Sequence, residues 1–323
     1  MENKNLPKTQ RSPARGNKAM LFFLLYLVVL QFMVAVIWLL GSLLGFNFEN
    51  LISMGIVHFF GIFVPFLFYL IFTRQKQKDV LKWNPLGIKK VMLLIAISLA
   101  IIPMVQIISR LSAFIFFPVI NEIMLNLSAY PIWLSLLVIA VFPALFEEFF
   151  CRGALYVEFE KLPLKKLALI TGLFFGIMHL NFHQAIYTGV VGVLYAYILY
   201  YTRSIWGPIL MHFVNNGLFV LLSQSDAINN WQDELWESPL HFLLIWGGIA
   251  LVLLPVFVIC FKKIKAGFAA PEEATGAEEP KQGEEELKQG EEKPKVFTWA
   301  FWVVIALFLI FGGLMELSFR LIT

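Results

Sequence analysis

Five polar side chains stand inside apolar stretches of this chain, and their types suit hydrolysis. Glu147 and Glu148 are adjacent, near the end of an apolar run that begins at about Tyr130. His179 lies in a second run, and His212 and Asn216 lie one helical turn apart in a third. An ionised carboxylate in hydrocarbon costs at least ~2.5–3.5 kcal/mol, and two side by side also repel each other. Such a pair must face a protein interior or a watered cavity. A glutamate and a histidine can hold a water between them, one acting as general base. A histidine and an asparagine at i and i+4 can donate hydrogen bonds to a developing oxyanion. Together these are the parts needed to hydrolyse an amide.

The elements that must position these groups are transmembrane helices. The chain has 323 residues, 59% of them apolar and only 15% charged. Soluble domains carry roughly 45–50% apolar and about 25% charged residues. The long charge-poor runs predict an all-α polytopic bundle of eight to nine spans. The nine runs are about 20–46, 51–73, 91–110, 130–152, 167–182, 184–201, 204–222, 239–260 and 297–317. Pro163 marks the turn between the fourth and fifth. Glu147 lies 16 residues before it and His179 lies 16 after it. In an antiparallel hairpin the two reach the same depth, roughly 20–24 Å from the turn at 1.5 Å per residue. Asn216 lies about 18 Å along the seventh span by the same rise. Pro143, four residues before Glu147, removes a backbone donor and bends the fourth helix near the site.

Charge divides the chain into units. Residues 1–19 read as a disordered basic arm, and 20–129 as the N-terminal transmembrane helices. Residues 130–222 form the transmembrane core with the polar groups. An external polar loop and the eighth span occupy 223–265. Residues 266–295 are an acidic low-complexity linker with two copies of Lys-Gln-Gly-Glu-Glu. The last helix occupies 296–323. Basic residues cluster at the N-terminus, 74–90, 161–166, 203 and 262–265, so a cytoplasmic N-terminus puts every basic loop inside. The basic runs flank membrane spans, so no nucleic acid is expected as a partner. The expected partners are the lipid bilayer and a membrane-associated protein or peptide. Two cysteines, Cys151 and Cys260, form no metal or disulfide pattern.

Other polar groups read as structural. Arg152 is four residues after Glu148 and can pair with it along the helix. His58 stands alone on the second span and reads as a packed histidine. His183 is i+4 from His179, which is metal-ligand spacing, but lies at an interfacial turn. Arg110 reads as an end residue that snorkels to the interface. His241 reads as interfacial.

At these residues the chain resembles a known family. Glu147-Glu148-Phe149-Phe150-Cys151-Arg152 is similar to the EExxxR motif of the CPBP intramembrane proteases, the CAAX proteases and bacteriocin-processing enzymes also called the Abi family. Phe175 to His179 is similar to that family's FxxxH motif, and His212 to Asn216 to its HxxxN motif. The resemblance covers roughly residues 130–222. It implies an endopeptidase with Glu147 and His179 activating water, Glu148 supporting them, and His212 with Asn216 stabilising the oxyanion. Phe175 and Arg152 carry over as structural motif positions.

The family has been classed as metalloendopeptidases, and a metal-free glutamate mechanism is also argued for it. Glu147, His179 and His212 could bind Zn²⁺ and leave an open position. The same groups could act directly on water, and the lack of HExxH favours that course. Relatives trim prenylated C-termini in CAAX processing or serve peptide maturation, and the plain topology suggests a bacterial plasma membrane. Two other classes compete with the enzyme. One is a non-catalytic protein such as a bacteriocin immunity factor. The other is a transporter or proton relay, since buried Glu and His also mark ion paths; no internal repeat supports it.

Overall fold

In the computed structural model the described residues are 11–44, 50–118, 127, 130–267 and 295–322. Residues 45–49, most of 119–129 and nearly all of the acidic linker lie outside them. All ten principal elements are helices: α1 (Pro13–Leu43), α2 (Leu51–Thr73), α3 (Ile88–Ser112), α4 (Ile132–Glu158), α5 (Leu164–Ile177), α6 (Phe182–Thr202), α7 (Trp206–Leu222), α8 (Asp226–Glu237), α9 (Pro239–Ala266) and α10 (Trp299–Ile322). Among the described residues seven helices are long and apolar enough to cross a membrane. The other two expected spans are shorter, 14 residues in α5 and 17 in α7. At 1.5 Å per residue neither reaches across a hydrocarbon core of about 30 Å.

Two expected loops are helical. The basic arm does not extend to residue 19, because α1 already begins at Pro13. Ser12 caps it by accepting from the Arg15 backbone, and proline suits the first helical position. Tertiary contacts hold this turn down. Asn17 donates to the Val296 carbonyl at 2.6 Å and to Thr298 Oγ1 at 2.9 Å. Arg15 pairs with the fully buried Glu158 at 2.8 Å. The expected polar loop after α7 forms α8, capped by Ser225 with Asp226 in its first turn.

α4 lies at the centre. Its apolar window is 61% buried, against 6–33% for the other long helices. It is not a uniform α-helix. The stretches Leu136–Val141 and Phe149–Leu155 are π-helical, and so is Phe59–Phe63 of α2. Two of these precede prolines, Pro143 and Pro65, which cannot supply the i→i−4 donor. The widened turns bracket Glu147 and Glu148 and change which neighbours the side chains meet. π-bulges of this kind recur at functional sites.

α5 and α6 pack backbone to backbone. A Cβ on Gly172 would sit 2.9 Å from the Gly189 carbonyl oxygen, and one on Gly176 would sit 2.5 Å from that of Ala185. Gly172-x-x-x-Gly176 is the spacing that lets membrane helices approach closely. α10 packs along α1 and reaches α5 and α6, where Phe301 meets Phe174 and Gly312 lies against Phe182.

Candidate functional site

The two carboxylates serve different neighbours. Adjacent residues on a helix point about 100° apart, so Glu148 faces α6 and α7 while Glu147 faces α2 and the turn after α5. Both are buried, Glu148 completely and Glu147 to 5% exposure.

Glu148 is paired mainly through Oε1, while its buried Oε2 stands in an ion pair but accepts no hydrogen bond among the described protein groups. His212 Nδ1 lies 2.9 Å from its Oε1, and Arg152 Nη1 donates to the same oxygen at 3.2 Å. Arg152 Nε stands 3.2 Å from Oε2. The guanidinium also donates to the Gly192 carbonyl at 2.9 Å and lies 4.2 Å from the centre of the Phe175 ring. Arg152 is 1% exposed, so this pairing is what makes its burial tolerable.

Glu147 has looser neighbours. His179 Nε2 lies 4.0 Å from Oε2, and His58 Nε2 lies 3.5 Å from Oε1. Oε2 is buried and has no hydrogen-bond partner among the described protein groups. His179 Nδ1 is 2.9 Å from the Phe175 carbonyl, which can only accept, so Nδ1 carries a proton. In the neutral ring Nε2 therefore presents a lone pair toward Glu147. His179 stands just past the end of α5, in the turn to α6. Leu180 in this turn has φ of 51°, a left-handed conformation that costs a non-glycine residue about 1–2 kcal/mol. The fold sustains it through Asn181, whose side chain caps α6 by accepting from the Gln184 N–H at 2.8 Å.

Phe175 connects the two halves. Its carbonyl orients His179, its face carries Arg152, and its ring meets His179 and His212 edge-on at 5.4 and 5.9 Å. Asn216 donates through Nδ2 to the Ile139 carbonyl at 2.9 Å. One of its two amide hydrogens is thus spent within the scaffold.

The structure brings Glu147, Glu148, Arg152, Phe175, His179 and His212 together, with Asn216 one turn from His212. It does not bring His183 in. That residue is buried with Nε2 3.0 Å from the Ser109 carbonyl, tying α6 to α3. Arg110 does not snorkel. It is 9% exposed, donates to the Trp236 carbonyl at 3.1 Å and stacks on Phe114 and Trp236.

The zinc set considered from the sequence, Glu147, His179 and His212, is not drawn together as a ligand cluster. His212 turns Nδ1 to Glu148, which leaves its Nε2 free. Among the described residues no three His, Cys, Asp or Glu side chains are arranged to hold a metal ion.

Sequence reasoning does not place two neighbours at the site. His58, expected as a packed histidine, stands beside Glu147. It lies 15 residues before Thr73, the end of α2 at the basic loop, and Glu147 lies 16 before Pro163. The depth count that paired Glu147 with His179 would have placed it. Tyr195 is buried beside Arg152 and His212, and its hydroxyl accepts from Asn215 Nδ2 at 2.8 Å. No spacing marks it.

Residues 129–218, which hold all three motifs, match the sequence profile of the family described as Rce1-like, type II CAAX prenyl endopeptidase Rce1-like. The match supports the CPBP family for this stretch. The "Putative membrane peptidase YdiL" of Bacillus subtilis (strain 168) is 32% identical over 123 residues, or 36% of this chain and 47% of that protein. The chain thus spans about half the length of this curated relative. No solved structure matches the chain. With seven long apolar helices among its described residues, two of them inside the matched stretch, the chain is an integral membrane protein.

Proposed function

We propose that this protein is an intramembrane endopeptidase that hydrolyses a peptide bond in a membrane-associated protein or peptide. The observation that carries the reading is the 4.0 Å separation between Glu147 Oε2, buried and unpartnered, and His179 Nε2. That distance suits one water hydrogen-bonded to both atoms. The water oxygen attacks the carbonyl carbon as a proton passes to Glu147. The resulting oxyanion accepts from the second amide hydrogen of Asn216 and from Nε2 of a doubly protonated His212, whose Nδ1–H is held by Glu148. Collapse breaks the C–N bond, and the proton on Glu147 moves to the leaving amine. Water and amide thus become acid and amine.

The substrate class is a prenylated or leader-bearing chain presented at the membrane, and the location a bacterial plasma membrane with the N-terminus in the cytoplasm. The charge distribution supports that orientation.

Purified protein in liposomes, offered a library of membrane-anchored and prenylated peptides, tests the reading. Wild type is expected to cut at least one peptide, and Glu147→Gln and His179→Ala to lose cleavage by a factor of ~10² or more. A chelator arm separates a metal-dependent from a metal-free reaction. Cleavage by both variants at the wild-type rate would remove the proposed site. Full biological activity of both variants without cleavage would favour a binding protein.

A further inference from the structure

Glu147 is held from two sides by the same device used twice. His58 Nδ1 lies 2.8 Å from the carbonyl of Met54, four residues earlier. His179 Nδ1 makes the matching contact to Phe175, also four residues earlier. Each ring is thereby fixed in tautomer, with Nε2 turned to the carboxylate. His58 Nε2 stands 3.5 Å from Oε1, and His179 Nε2 stands 4.0 Å from Oε2 with room for a water between. The terminal torsion of a glutamate is soft. Of the two imidazoles His58 stands nearer, so it is the better placed to set that plane.

The packing around His58 serves that contact. The π-helical turn Phe59–Phe63 begins at the next residue, and its Phe63 stacks at 4.8 Å on Phe146, the residue beside Glu147. Gly55 brings α2 close to α4, since a Cβ there would already touch Val138 at 3.5 Å. A carboxylate oxygen and the Nε2 lone pair of a neutral imidazole both accept, so the His58 contact is attractive when one proton lies between them.

We infer that His58 is a positioning residue of the hydrolytic site. It occupies Oε1 of Glu147 and so keeps Oε2 turned to His179 and the attacking water. This rests on the endopeptidase reading above.

The test compares kcat and KM for wild type, His58→Met, His58→Phe and His58→Gln in liposomes, with Glu147→Gln alongside and thermal unfolding recorded for each. Met and Phe fill the space without a polar atom. Gln offers an amide that can donate to or accept from Oε1. Expected is a fall in kcat of about 10²-fold for Met and Phe with KM within about twofold, and recovery to within about tenfold of wild type for Gln. If Phe fails to fold, Met and Gln carry the comparison. Wild-type kcat in His58→Met while Glu147→Gln is dead overturns the role of His58 alone. Equal loss in Met and Gln variants that fold also overturns it. Activity retained in Glu147→Gln takes down the endopeptidase reading and this inference together.

Discussion

Asn216 donates to the carbonyl of Ile139 at 2.9 Å, and Ile139 is the residue whose α-helical donor would be Pro143. Proline has no N–H, so the site helix contains an acceptor that its own backbone cannot fill in the usual way. The asparagine one turn from His212 fills it. α7 is thereby pinned to α4 beside the carboxylates, and the third motif is tied to the first through a defect in the helix. An acceptor buried without this donor costs about 1–3 kcal/mol.

Asn216→Ala should therefore lower stability by about 1–3 kcal/mol. In a Pro143→Ala background the restored N–H competes for Ile139, and the same substitution should cost less. A double-mutant cycle by thermal unfolding in detergent checks this. A coupling energy near zero would show the two residues to act independently.

Gly176 sets the distance between α5 and α6 three residues before His179. Gly176→Ala puts a Cβ 2.5 Å from the Ala185 carbonyl oxygen, and backbone cannot give way as a side chain can. The helices must part, at a cost of about 1–3 kcal/mol. Displacement of His179 by about 1 Å should reduce cleavage by about 10²-fold. Gly247→Ala on α9, where nothing lies within 4 Å, is the control and should leave both stability and cleavage close to wild type or better.

Glu158, at the far end of α4, is fully buried. It joins Arg15 of α1 at 2.8 Å, accepts from the backbone of Ser12 at 3.0 Å, and receives the hydroxyl of Tyr69 on α2. Three helices meet on one carboxylate. Glu158→Ala leaves Arg15 without this partner and should destabilise the protein by about 3 kcal/mol. Glu147 and Glu148, proposed for the chemistry, lie more than two turns away along α4, so kcat measured well below the unfolding temperature should stay within about twofold of wild type. A kcat that falls in step with stability would place this cluster in communication with the site.

The positions of chemistry along the chain are legible because depth in a helical bundle is arithmetic. A rise of 1.5 Å per residue and a turn at Pro163 are enough to level Glu147 with His179. The apolar runs likewise announce the helices, since backbone polar groups in lipid must be satisfied within a helix. The three motifs were readable for the same reason: each is a run of side chains at fixed helical spacing.

What depth does not contain is rotation. Whether His58 faces Glu147 or a neighbouring helix depends on the π-helical turn that follows it, and the sequence period of an ideal α-helix does not include that turn. The same holds for the division of Glu147 and Glu148 between different partners, and for His212 turning Nδ1 to Glu148. His183 stands at helical spacing from His179, yet the turn at Leu180 breaks the helix between them and sends it to Ser109. The sequence by itself determined that a carboxylate pair, two histidines and an asparagine would lie at one level of a membrane bundle. Only the tertiary structure decided which atoms meet, because partners across helices are chosen by azimuth and close packing, and these are set by prolines, glycines and neighbouring helices together.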